Sequence, residues 1–395
     1  MGTDRRFYRT LAAVGNSAYA NVSQTIERAH KFPLLEKVIF GAGAIAQVPK
    51  EIDRLSKERA FILTGKTLAT KTDLVRKLET LLEDRWVGTY SGCQQHVPSH
   101  TVDEAVVRAR EAQADLIISF GGGSPIDAAK IVALELLGNQ PQDAIPQIAI
   151  STTLSAGEFT PFAGFTDEKT RVKSVRADPR IMPKIVVLDP EVTVATPTQL
   201  WASTGIKALD HAIEALWSVH PQPVTDALAM EAIRKLHRYL PLSVKEPTNS
   251  EARGECQVAG WLSIFGLANV GVRLSHIFGH QIGARWDVPH GITSCITIPH
   301  CMRFLAPQTL DRQVLIAQAF GLKTDGRKPE EVAAEAARTV EGFIDSFGVP
   351  RRLRDVGAKE SELPAVAHAV IEESAMWHRQ QGGEEALLGL LKQMW

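Results

Sequence analysis

Cysteine is scarce in this chain: four in 395 residues (Cys93, Cys256, Cys295, Cys301), with no CxxC pair. That density excludes a disulfide framework, argues against a zinc ribbon, and suits a reducing compartment. An excess of charge is missing too. Lys and Arg number 44 against 45 Asp and Glu, a net charge of −1, so no global field recruits nucleic acid or a membrane surface. No apolar run approaches the ~20 residues that span a bilayer. The opening MGTDRRFYRTLAAVGNSAYANV carries basic residues but no sustained apolar stretch of the signal-peptide kind. Repeats and low-complexity tracts are absent. The expectation is a soluble, cytoplasmic protein, and 44% hydrophobic residues suffice for a buried core in about two domains.

What is present is alternation. Short apolar runs, KVIF (37–40), RAFILT (59–64), WVGTY (86–90), DLIISF (115–120), QIAI (147–150) and KIVVL (184–188), are separated by helical patterns such as 72–84 and 101–113. Strands alternating with helices of this length predict a parallel sheet covered by helices. Beyond DPEVTVATPTQL the periodicity is helical to the end. The chain therefore divides into an extension (1–32, with a short helix around 21–30), an α/β domain (33–198) and an all-helical domain (199–395). The cleft between two such domains is a common ligand site.

Three stretches carry candidate chemistry. In DLIISFGGGSPIDAAKIVAL (115–134) a buried strand meets Gly121, Gly122 and Gly123 and then a helix, with Ser124 as its expected N-cap and Pro125 in its first turn. Such a loop offers backbone N–H groups and a positive helix end to a phosphate. It is neither GxGxxG nor a Walker A loop, and a plain tight turn is the alternative. In GIKALDHAIEALW (205–217), Lys207, His211, Glu214 and, just beyond it, Ser218 share one helical face beside the apolar Ile206, Leu209, Ile213 and Leu216. By itself that polar stripe reads as a solvated face. In NVGVRLSHIFGHQIG, His276 and His280 stand one turn apart on a face shared with Asn269 and Arg273, and His290 follows in DVPHG.

Taken in order and spacing, GGGSPIDAAK, DPRIMPKIVVLDPEVT, HAIEAL and GHQIGARWDVPHG resemble the iron-containing alcohol dehydrogenase family over roughly residues 34–390. The resemblance implies an α/β N-terminal dinucleotide-binding domain followed by an all-α C-terminal domain, the dehydroquinate synthase-like or group III alcohol dehydrogenase fold, and a homodimer. It implies that the glycine run cradles the pyrophosphate of NAD(P), that Thr152 and Thr153 lie near its ribose and phosphate, and that Asp127 and Lys173 belong to the same cofactor site. The family's divalent metal is usually held by one Asp and three His. Those positions map onto Lys207, His211, His276 and His290, with His280 a further active-site histidine. A protonated lysine has no lone pair and repels a dication. Asp210 lies about 100° round the helix from His211 and is a poor replacement. The expectation is that the metal is absent. Maleylacetate reductases, the branch that works without the metal Asp and commonly carries Asn there, are also resembled in HVP (96–98) and in the compact segment 151–184.

The expected activity is NAD(P)H-dependent reduction of a small-molecule substrate, an enone or keto dicarboxylate of aromatic-compound degradation, by hydride transfer. Lys207 and His211 would clamp substrate or enolate, His280 or His276 would donate the proton, and Arg273 would bind a carboxylate or form a structural ion pair. Crowding should lower the histidine pKa values. At the family's ribose-binding acid stands Gly65, followed by Lys66, which removes repulsion against a 2′-phosphate and leaves NADH and NADPH both open. The competing readings are a metal-dependent alcohol or aldehyde dehydrogenase that uses only the three histidines, a lyase of the dehydroquinate synthase type, and a non-catalytic protein with a decayed site.

Overall fold

The computed structural model describes residues 29–137, 144–167, 172–376 and 383–395. These form two compact units: 32–197 with 248–258, and the remainder of the described chain.

The first unit is built on strands β1 (Lys37–Phe40), β2 (Ala60–Gly65), β3 (Trp86–Cys93), β4 (Leu116–Gly121), β5 (Gln147–Ser151), β6 (Phe162–Asp167), β7 (Val172–Ala177) and β8 (Ile185–Leu188). Six of them make an all-parallel sheet in the order β1-β8-β5-β4-β2-β3. These are the six apolar runs. The inner four, β2, β4, β5 and β8, read as continuous because both faces are covered, whereas the edge strands β1 and β3 are partly exposed. Ile62, Ile118 and Phe120 point into one core with Val48, Ile52, Val75 and Leu78; Phe61, Leu63 and Ile117 point into the other with Val102, Ala105, Ala129 and Val132. The antiparallel β6–β7 hairpin went unread in the sequence, since FAGFTD and VKSVRA lack a buried run. Connections leave β2 toward β3 and β4 toward β5, in opposite directions, while β2 and β4 are neighbours. Their carboxyl ends thus flank the switch point, where parallel sheets of this kind bind ligands.

The second unit is helical, with major helices Thr198–Leu216, Pro223–Lys245, Leu274–Trp286, His290–Ala319, Pro329–Asp345, Leu363–Met376 and Glu384–Gln393. The helix expected around 21–30 lies outside the described residues, apart from residues 29 and 30, which are not helical. His30 Nδ1 lies 2.9 Å from Gln222 Oε1, and Lys31 N donates to Asn269 Oδ1 at 2.7 Å. Residues 248–258, expected with the helical domain, belong instead with the sheet. The buried Arg253 binds Thr193 Oγ1 (2.6 Å) and its carbonyl (2.5 Å), and Gln257 Nε2 donates to Ser151 O at 3.3 Å. Among the described residues no single helix is long and apolar enough to cross a membrane.

One buried cation ties the glycine-loop helix (Gly123–Glu135) to the segment before β6. Lys130, fully buried, donates to the carbonyls of Gly157 (2.6 Å) and Phe162 (2.7 Å) and to Thr160 Oγ1 (3.3 Å), with Asp127 at 3.7 Å. Nearby, burial pushes the Glu158 carboxyl up to about 7. Lys130→Met keeps the length of the side chain but removes the charged donor that three oxygens share, leaving the Gly157 and Phe162 carbonyls only their bonds from Thr160. It is expected to lower unfolding stability by about 3 kcal/mol, read as an earlier urea midpoint; an unchanged midpoint would show that the ammonium holds nothing.

Candidate active site

At the carboxyl end of β4 the backbone turns at Gly121, whose φ of +151° is a glycine conformation. A Cβ there would lie 2.9 Å from Pro125 Cγ, and one on Gly122 would lie 2.9 Å from Thr153 Cγ2. The helix opens at Gly123 with Gly122 as its N-cap and no side-chain cap bond. Ser124, expected as the cap, sits inside the first turn instead, because the helix starts earlier. First-turn N–H groups without a side-chain cap, behind a glycine turn at the switch point, fit the pyrophosphate of a dinucleotide. Thr152 and Thr153 are buried just after β5; Thr152 N donates to Gly121 O (2.9 Å), and Thr153 Oγ1 is 3.2 Å from Ser155 Oγ.

Gly65 ends β2 in ordinary extended geometry (φ −90°, ψ 150°) and caps the short helix Lys66–Lys71, with Lys66 exposed. A Cβ on Gly65 would sit 3.6 Å from Cys93 O, an ordinary contact, so the turn itself does not demand glycine. Asp127 Oδ2 accepts from Gly164 N at 3.1 Å. Lys173 falls on β7 in register with Thr166, and its side chain lies outside the described residues. In HVP, His96 (φ 61°) and Val97 (φ 50°) are both left-handed, a strained state for a β-branched residue. Thr166 holds them there, its N donating to Val97 O and its Oγ1 to His96 O, both at 3.0 Å.

The helical unit gathers the other candidates. The expected solvated face of the Thr198–Leu216 helix does not exist: every residue from Trp201 to Leu216 is buried. A helix buried all round belongs to a core. Lys207, 4% exposed, donates to Asp210 Oδ2 at 3.0 Å and to His276 Nδ1 at 3.1 Å. Ser294 Oγ donates to the same Asp210 oxygen at 2.6 Å. Ring centroids lie 5.6 Å apart for His211 and His276, 4.8 Å for His276 and His280, 5.9 Å for His276 and His290, and 5.3 Å for His280 and His290. His290 opens its helix at Pro289–His290. The glycine behind it lets that helix touch its neighbour, since a Cβ on Gly291 would be 2.7 Å from Ser203 O.

The electrostatics follow from burial. Desolvation, with the Lys207 charge alongside, holds the His211 imidazole well below its usual range. His276 is held down by burial first, then by Lys207 and the neighbouring imidazoles. A neutral His276 that accepts at Nδ1 carries its hydrogen on Nε2. The Asp–His–His–His donor set of the resembled family does not fit these residues. An ammonium stands at the carboxylate position, and the lone pair of His276 is engaged by it. Ligand atoms of His276, His280 and His290 do lie within 4.8 Å of one another, so three imidazoles converge.

Arg273 is turned away from this cluster. Its Nη1 donates to Trp217 O (2.9 Å) and its Nη2 to Gln308 Oε1 (3.4 Å), and burial lowers its pKa. Its backbone N–H and that of Ser275 are capped by the Glu214 carboxylate, which burial and Asp210 push up to about 7. Glu214 thus joins the Thr198–Leu216 helix to the start of Leu274–Trp286. The sequence analysis weighs Asp210 only as a metal ligand and does not reach Ser294 or Glu373. Asp210 had a signal, its i+3 spacing from Lys207. The other two reach the site from distant helices, and nothing local marks them.

Residues 36–190 match the family model described as iron-containing alcohol dehydrogenase, and residues 201–395 the model of the Fe-containing alcohol dehydrogenase family, C-terminal. The chain is 33% identical over 319 residues to a maleylacetate reductase of Sphingobium indicum, covering 81% of this chain and 86% of that one. It is 31% identical to the lactaldehyde reductase of Escherichia coli K12, covering 87% and 94%. The crystal structure of maleylacetate reductase from Agrobacterium tumefaciens superposes with a TM-score of 0.80 at 26% identity, covering 94% and 99%. With its parallel-sheet unit, its helical unit and these relatives, the chain is an oxidoreductase that belongs to the iron-containing alcohol dehydrogenase family.

Proposed function

We propose that this enzyme reduces an enone or keto dicarboxylate of the maleylacetate type with NADH or NADPH, and that the Lys207 ammonium takes the electrostatic part a metal plays elsewhere in the family. One observation carries the reading: a buried lysine, neutralised by Asp210, that donates to an active-site histidine. The bound nicotinamide supplies a hydride. Added to the carbon β to the ketone, that hydride moves the C=C electron pair onto the carbonyl oxygen as an enolate. An ammonium has three N–H donors. Asp210 and His276 take two of them, and the third is available to the enolate oxygen, where a fixed donor in a water-poor site is most effective. His211 and His276, held neutral, are poor proton sources. His280, with about a third of its side chain exposed, delivers the proton to the α-carbon and closes the reaction as the saturated ketone.

The convergence of His276, His280 and His290 favours a second reading, a metal-dependent alcohol or aldehyde dehydrogenase. Assays with maleylacetate and with lactaldehyde, before and after EDTA, separate the two. Turnover of maleylacetate that survives chelation, with no stoichiometric iron or zinc in the purified protein, is expected. Near-unit metal occupancy and activity restored only by metal would sink the proposal.

The Lys207 substitutions need the ion pair in view. Lys207→Ala alone strands a buried carboxylate and should destabilise by about 3–5 kcal/mol. The double variant Lys207→Met/Asp210→Asn removes both charges, so it should keep the fold while kcat falls about 10²–10³-fold; wild-type kinetics in the double variant would leave Lys207 structural. Lys207→Asp puts two carboxylates side by side, and its melting temperature should rise on adding a divalent ion.

For the cofactor, NADPH should bind within about tenfold of NADH, a gap of at most ~1.4 kcal/mol. Since Gly65 tolerates a Cβ, Gly65→Asp should weaken NADPH selectively, measured by fluorescence titration of both dinucleotides. Equal weakening of both would show that this position does not face the ribose.

A further inference from the structure

His280 is held by a carboxylate from a helix that the mechanism above does not use. Glu373 lies on Leu363–Met376, 93 residues along the chain, with its side chain 9% exposed. Its Oε1 is 2.7 Å from His280 Nδ1, and its Oε2 accepts from Gln281 Nε2, also at 2.7 Å. Both carboxylate oxygens are therefore taken by residues adjacent in sequence on the Leu274–Trp286 helix.

We propose that Glu373 is the positioning residue of the proton donor, fixing the ring orientation and tautomer of His280 so that only Nε2 exchanges a proton with substrate. A carboxylate accepts and does not donate, so the shared hydrogen sits on His280 Nδ1. The lone pair or exchangeable proton then belongs to Nε2. Turning the ring over would break the 2.7 Å contact, because it brings Cδ2 to the place of Nδ1. His276 stands edge-on to the ring at 4.8 Å (87° between planes) and His290 lies at 5.3 Å, so the imidazole has packing on the faces that Glu373 does not hold. A carboxylate behind a functional histidine is a recurrent way to set its tautomer, and removing it typically lowers activity about 10–100-fold.

The inference rests on the reading of His280 as proton donor, and the test keeps the two apart. Glu373→Gln removes the negative charge and leaves one acceptor oxygen, so the contact with His280 survives at most as a neutral hydrogen bond, with Gln281 turned to accept from the new NH₂. Steady-state kinetics with maleylacetate should show kcat down about 10–100-fold, while KM and the NAD(P)H dissociation constant stay near wild type. In a His280→Ala background, Glu373→Gln should change kcat no further, because its effect passes through the ring; a purely structural role would multiply the two losses. Nitrogen-15 NMR of the wild-type imidazoles gives a readout that needs no folded variant: His280 should carry its neutral-state hydrogen on Nδ1. An Nε2–H tautomer, multiplicative losses in the double variant, or an unimpaired Glu373→Gln beside an impaired His280→Ala would each overturn the Glu373 role alone. Wild-type turnover in His280→Ala would overturn the proton-donor reading, and the positioning role with it.

Discussion

An ammonium buried against imidazoles persists only beside an anion, and in this fold that anion is Asp210. Desolvating a single charge costs several kcal/mol after relaxation. At 3.0 Å the Lys207–Asp210 attraction in a poorly screened interior offsets that cost. The pair draws three helices to one point: its own, the Leu274–Trp286 helix through His276, and the His290–Ala319 helix through Ser294. Its partner interaction, Glu214 at the N-terminus of Leu274–Trp286, works one turn further along the same buried helix. Polar groups that would face water in an amphipathic helix here clamp the helical unit together.

The same pair sets the protonation of the site. A cation beside His211 and His276 adds to burial in keeping both rings neutral. In the proposed reaction His280, partly exposed and backed by Glu373, passes the proton. A carboxylate at position 207 would invert this order, attracting a dication and freeing the lone pair of His276. Under the proposed function, residue 207 decides between a fixed organic cation and a Lewis acid as the electrophilic aid.

In the α/β unit the proposed cofactor loop depends on geometry rather than charge. Gly121 and Gly122 are needed first by the chain itself, since Pro125 and Thr153 fill the space their side chains would take. The helix that follows opens at Gly123 with no side-chain bond at its N-cap. Gly65 has no such constraint, since a Cβ there would meet only an ordinary contact with Cys93 O.

The sequence by itself determined the sheet strands, because both faces of a parallel sheet are buried and its strands must be continuous apolar runs. It also determined the glycine loop, whose backbone needs residues without a Cβ, and the register of Lys207, His211, His276, His280 and His290 within the family. It could not determine that the Lys207 helix has no wet side, since 3.6-residue periodicity reports one apolar face and is silent on what covers the other. Nor could spacing along one helix show that Asp210, set aside as a metal ligand, is the counter-ion of Lys207. Arg273, Ser294 and Glu373 were decided by tertiary structure alone. Arg273 spends its donors on Trp217 and Gln308, whereas Ser294 and Glu373 arrive from helices 84 and 93 residues away from the groups they hold. Hydrogen bonds act over about 3 Å in space and leave no period in the chain.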